Sequence, residues 1–173
     1  EDTAELNLPH ENWIPSVVRL GSGPEEKGTG AITLFDLLKA AVRQRPDFII
    51  VGEVRGKEAY TLFQAMATGH LGMCTIHGES VDAVIHRLES EPLNIPRPLL
   101  TMIDAIMVQL RTEINGKPVR RIVTVTEVTA LDPRTKELLT NETFRWDPKN
   151  DTFVYSGRSH ILERNMKLSL IHI

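Results

Sequence analysis

The stretch FIIVGEVRG at residues 48–56 sets the first constraint on the fold. Four apolar residues read as a short buried strand, and Gly52, Glu53, Arg55 and Gly56 follow at once. So apolar a strand belongs in a parallel sheet covered by helices. Its neighbours agree. Before it, Thr33 has the chemistry of an N-cap, and Leu34, Leu37, Leu38, Ala41 and Val42 recur at helical spacing until Pro46. After it, residues 58–68 place Ala59, Leu62, Phe63 and Met66 on one helical face, with Gly69 as the terminator. LGMCTIH reads as a second strand, and Ser80 caps a third helix with Val81, Val84, Ile85 and Leu88 inward. Strands alternating with helices predict an α/β layer.

The pattern changes near residue 103. From there to residue 155 the chain reads as a β-meander, with turns at DPRT and DPKND. Phe144, Trp146, Phe153 and Tyr155 are its candidate cross-strand partners. A short helix is expected at 161–167, while LSLIHI at the end fits no pattern. These readings divide the chain into residues 1–102, part of an α/β core, and residues 103–173, a smaller β-rich subdomain.

Composition narrows the function classes. The 173 residues are 41% hydrophobic and 25% charged, enough for a packed core. A net charge of −3 gives no global field toward nucleic acid or anionic lipid. Cys74, the single cysteine, excludes an internal disulfide. No apolar run approaches the roughly 20 residues of a membrane span. The chain opens on Glu1 without methionine and reads as a fragment or a processed product.

Chemistry in open α/β sheets gathers at the carboxyl ends of strands. Glu53 and Arg55 stand just past such an end. A carboxylate there orients a hydrated Mg2+ and polarises a water beside a triphosphate; the alternative is a surface Glu–Arg pair. TGHLGMCTIHG puts His70 before the second strand and His77 at its far end. Two structural histidines are the bland reading, and no Cys/His cluster completes a zinc site. Glu1 and Asp2 are either a base and metal partner at a strand end or plain exposed acids.

Taken together, EDTAELNLPHENW, LLKAAVRQRPDFIIVGEVRG and AYTLFQAMATGHLGMCTIHGES closely resemble the type II/type IV secretion ATPases, most of all their archaeal branch. Glu1-Asp2 match that family's Asp box, DFIIVGEVRG its Walker B element and TGHLGMCTIHG its His box. The resemblance implies a partial RecA-like P-loop NTPase core followed by the β-rich subdomain. It implies ATP and Mg2+ as cofactors. Glu53 becomes the Walker B acid, acting indirectly on Mg2+ and on the attacking water. Glu1 becomes the base, supported by Asp2. His70 and His77 read the γ-phosphate, and Arg55 ties the Walker B turn to them. Arg19, Arg43 and Arg45 become candidate charge sensors within or across a subunit boundary, or remain solvated arginines.

The family's phosphate cradle, G-x-x-x-x-G-K-[ST], is not in this sequence. GPEEKGT at 23–29 comes nearest, but its lysine precedes the second glycine and its glutamates would repel phosphate. The cradle is therefore expected upstream of Glu1, and the chain alone is expected to be inactive. The complete protein is expected to be a homo-hexamer, cytoplasmic and peripheral at the inner face of the membrane. There it would engage a membrane platform protein and power a pilus-like filament, an archaellum or secretion, without direct contact with nucleic acid. The rivals are a DNA-transfer ATPase and a silent assembly module.

Overall fold

A computed structural model describes residues 1–21 and 30–171, with side chains through 168. The phosphate-loop candidate at 23–29 and the last two residues lie outside the described residues. The chain is α/β and divides into two compact units. The first joins Glu1–His77 to Ser90–Ile95; the second joins Gly78–Glu89 to Pro96–Ile173.

In the first unit, α1 spans Leu34–Arg43. Thr33 and Asp36 form a capping box, each satisfying the other's backbone N–H. β1 is Phe48–Val51, α2 is Glu58–Ala67 and β2 is Leu71–Cys74. The two strands pair in parallel, Phe48 opposite Leu71 and Val51 opposite Cys74. Gly69, at φ +102°, turns the chain from α2 into β2. A side chain at Gly72 would meet Met66 at 2.8 Å, so glycine lets α2 lie directly on β2.

The sequence predicts β1 as fully buried, and the structure corrects that. Ile49 and Val51 are buried, whereas Phe48 and Ile50 are exposed, with Leu71 and Met73 exposed beside them. Helices of this unit cover one face of the pair, and no layer among the described residues covers the other.

The second unit contains α3 (Val81–Glu89), α4 (Arg97–Leu100), a four-stranded antiparallel meander and α5 (His160–Ile171). Its strands are β3 (Ala105–Ile114), β4 (Lys117–Leu131), β5 (Leu138–Asp147) and β6 (Thr152–Tyr155). Ser80 caps α3 by accepting the Ala83 N–H, and Val84 and Leu88 are buried. The aromatic pairing appears as expected: Phe144 opposes Tyr155 with ring centres 5.1 Å apart, and Trp146 opposes Phe153. Buried Glu127 of β4 fixes α5, accepting hydrogen bonds from the Ser159 hydroxyl and the His160 and Ile161 N–H groups. The sequence reading missed this anchor.

Candidate active site

The parallel register of β1 and β2 brings both carboxyl ends to one edge. There the backbone is pinned before any functional side chain is considered. Val54 N–H donates to the Thr75 carbonyl at 3.0 Å, and the Thr75 hydroxyl donates to the Gly52 carbonyl. Val54 is fully buried. Glu58, almost fully buried, accepts the N–H groups of Arg55 and Gly56 at 2.6 and 2.7 Å. One carboxylate thus holds the VRG turn and begins α2, where Lys57 offers no side-chain cap. An acid two residues after the glycine that closes a strand end was the signal for it.

On this frame Glu53 stands between Arg55 and His77. Arg55 Nη2 donates to its Oε2, and His77 Nε2 lies 3.2 Å from its Oε1. The Glu53 side chain is 19% exposed, while Arg55 and His77 are 63% and 77% exposed. The glutamate is therefore sheltered and its partners reach into solvent. The Arg55 guanidinium is held above its usual range by the hydrogen bond to Glu53, then by that carboxylate's charge, with Asp2 and Glu5 adding to it. Asp2 therefore belongs to this electrostatic neighbourhood.

Glu1 reaches the same edge. A side chain added at Gly52 would lie 3.1 Å from Glu1 Cγ and 3.3 Å from its Oε1. Glycine leaves room for this close approach, which sets the Glu1 carboxylate over the residue before Glu53. The Glu1 carbonyl accepts the Val18 N–H at 3.0 Å, and its Oε1 accepts the N–H groups of Glu5 and Leu6 at 3.3 and 3.2 Å.

The remaining candidates lie elsewhere. His70 directly precedes β2, at the amino edge of the sheet, and its Nδ1 lies 3.2 Å from the Ala65 carbonyl. Arg43 is the last residue of α1. Arg45 follows in the left-handed region at φ +54°, three residues before β1. Both arginines are exposed at that amino edge. Arg19 is occupied near α1, pairing its backbone with Ile32 and donating from Nε to the Gly30 carbonyl at 2.8 Å. Glu1, Glu53, Arg55 and His77 are brought together; His70, Arg43 and Arg45 are on the opposite edge.

Carboxylate oxygens from Glu1 and Glu53 suit a hard cation such as Mg2+. Among the described residues no three His, Cys, Asp or Glu side chains converge to hold a metal by themselves. The edge fits an ion that keeps its waters and takes further oxygens from phosphate, which is the usual behaviour of Mg2+.

Comparison with known proteins identifies the lineage. The family described as "Type II/IV secretion system protein" matches residues 1–167. An uncharacterized protein of Methanocaldococcus jannaschii is 51% identical over 164 residues, covering 95% of this chain and 60% of that protein. The VirB11 protein of Agrobacterium fabrum is 44% identical over 79 residues, 45% of this chain and 22% of its own length. A putative conjugal transfer protein of Mycobacterium tuberculosis is 40% identical over 91 residues, 52% of this chain and 25% of its own. The chain therefore spans only part of the relatives it matches. Among the described residues no helix is long and apolar enough to cross a membrane. With its motifs, its α/β units and this match over nearly its whole length, the chain belongs to the type II/IV secretion system protein family.

Proposed function

We propose that this chain is the later part of an ATP-hydrolysing ring motor of a secretion or pilus-like apparatus. The observation that carries the reading is Glu53, sheltered at the carboxyl edge between Arg55 and His77, with the Glu1 carboxylate over Gly52. Bound Mg-ATP supplies the scissile phosphoanhydride and the cation that offsets its charge. Glu53 Oε orients the attacking water, and Glu1 takes its proton. Arg55 fixes the Glu53 rotamer, and Glu58 keeps the turn rigid. His77, its Nε2 3.2 Å from Glu53 Oε1, relays phosphate state; His70 acts on the far edge through the end of α2. Asp2 supports Glu1, and Arg19, Arg43 and Arg45 serve subunit contacts.

The phosphate cradle belongs to this proposal as an upstream element, so residues 1–173 alone are proposed not to turn over ATP. The same applies to the homo-hexamer, the cytoplasmic position beside a membrane platform, and work on a filament, an archaellum or a secreted cargo. The division into core residues 1–102 and subdomain residues 103–173 is likewise proposed. One further reading has its own support: similarity to a putative conjugal transfer protein favours a DNA-transfer ATPase. Steady-state ATPase of the complete protein, with and without single-stranded DNA, tests both. Turnover that requires Glu53 supports the motor, and DNA stimulation moves it toward conjugation. No turnover in a complete protein that carries a phosphate cradle sinks the enzymatic reading.

A further inference from the structure

The β3–β4 hairpin reaches beyond the rest of its sheet. β5 pairs with β4 only from Thr124 to Leu131, whereas β3 pairs with β4 out to Ile114 opposite Lys117. Residues 109–114 and 117–122 are thus a two-stranded arm, closed by Asn115 and Gly116 at φ +51° and +75°. Such a two-residue turn suits the strand twist.

On this arm Arg111 and Arg120 are direct register partners. Side chains so opposed share one face with Cβ atoms about 5 Å apart, and like charges there destabilise the ladder. Both arginines are exposed. Neither makes an ion pair among the described residues, though other arginines of the same unit do: Arg97 with Glu89, Arg121 with Asp151, Arg145 with Glu142 and Arg164 with Asp104. Glu113 shares the face of Arg111, opposite Pro118, but forms no ion pair with either arginine. Two facing guanidinium forks without a carboxylate are a frustrated arrangement that an anion between them relieves, and the fork geometry matches a carboxylate.

The surroundings select the source of that anion. Glu113 interrupts the positive face, and Pro118 and Ile122 flank it without charge. A continuous polyanion, whether bilayer or nucleic acid, would press against Glu113, and a chain of net charge −3 provides no general attraction to one. A peptide presenting isolated acids between apolar residues avoids that penalty. β3 is the end strand of the sheet, so its outer backbone edge suits strand addition. We propose that the β3–β4 arm docks an extended acidic segment of a partner protein, with one carboxylate clamped between Arg111 and Arg120. This surface belongs to the second unit, whereas Glu53 and its neighbours belong to the first.

The test uses the full-length protein and a fluorescein-labelled peptide of alternating valine and glutamate, read by fluorescence anisotropy. Wild type is expected to bind it, less tightly as salt rises. The double variant Arg111→Gln, Arg120→Gln is expected to lose affinity by about tenfold or more, with unchanged ATPase and an equal or higher melting temperature. Arg111→Lys, Arg120→Lys should recover part of the binding. Equal affinity in the glutamine variant overturns the proposal. So does a lower melting temperature in that variant, which would mean the pair serves the fold. Loss of phosphatidylserine-vesicle or single-stranded DNA binding with peptide binding intact overturns it as well, in favour of a polyanion.

Discussion

Glu53 and Glu127 are both sheltered glutamates, and they differ in what meets the carboxylate. Glu127 is buried and receives the Ser159 hydroxyl, the Asn141 amide and two N–H groups of α5. Neutral donors enclose its charge, and among the described residues no cationic side chain pairs with it. Glu53 is met instead by two side chains that are themselves largely in solvent, Arg55 and His77. A carboxylate enclosed by local N–H and O–H donors anchors a helix. One met at a strand end by side chains that reach into solvent is the arrangement on which the proposed catalytic role rests. The first arrangement anchors α5 in the second unit; the second is the one to which the proposed function assigns chemistry in the first.

Substitutions should separate the two roles. Glu53→Gln in the complete protein keeps size and hydrogen bonding, and its turnover should fall by about 100-fold or more. Nucleotide affinity and urea midpoint should hardly change; near-normal turnover would reduce Glu53 to a surface ion pair. His77→Ala should cost about tenfold in turnover, the usual scale for a group that orients a reacting one. A loss within twofold would detach His77 from the chemistry. Glu127→Ala should leave turnover per folded molecule alone and destabilise the second unit by about 3 kcal/mol, because buried donors lose their acceptor. Urea unfolding followed through Trp146 would measure it, and an unchanged midpoint would contradict the anchor.

Acid should act on the same contrast. Burial works to raise the Glu127 carboxyl, but the Ser159 hydroxyl, the His160 N–H, the Asn141 amide and the Ile161 N–H outweigh it and hold the group below its usual range. A lowered folded value contributes stability above the unfolded carboxyl value of about 4.3. That stability is lost as pH falls through the folded value. Urea midpoints of the second unit should therefore decline in this window for wild type and less steeply for Glu127→Gln; parallel declines would exclude Glu127 as the cause. The smallest effect belongs to His70→Ala. Losing one hydrogen bond at the end of α2 should cost about 1 kcal/mol, with turnover within about threefold. A hundredfold loss would put His70 back beside the phosphate.

The order of elements was legible because each has a local cause. Thr33 and Asp36 cap α1, Gly69 ends α2 in the left-handed region, and Ser80 begins α3. The meander and its aromatic pairs followed from period-two alternation and turn residues. The helix expected at 161–167 runs over His160–Ile171, since its start is set by Ser159 and Glu127 rather than by its own pattern. What escaped was non-local. Glu127 lies 32 residues from Ser159, and no spacing rule connects them. The half-exposure of β1 also escaped, because FIIV reads the same whether one face or both are covered.

The candidate site was legible in its identities and not in its division between edges. Glu53, Arg55 and His77 stand out as charged or titratable groups past strand ends, and the structure joins them. His70 lies only seven positions before His77, yet a four-residue strand places the two at opposite edges. Glu1 and Gly52 are far apart in sequence, and only the missing side chain at Gly52 shows that they meet.

The central claim is that nucleotide chemistry takes place at the carboxyl edge of β1 and β2. Ring resonances of the histidines, assigned by substitution in the full-length protein, test it directly on addition of Mg2+ and a non-hydrolysable ATP analogue. The His77 resonances are expected to shift, while those of His70, hydrogen-bonded to the Ala65 carbonyl on the other edge, stay in place. A shifted His70 beside an unmoved His77 would contradict the account.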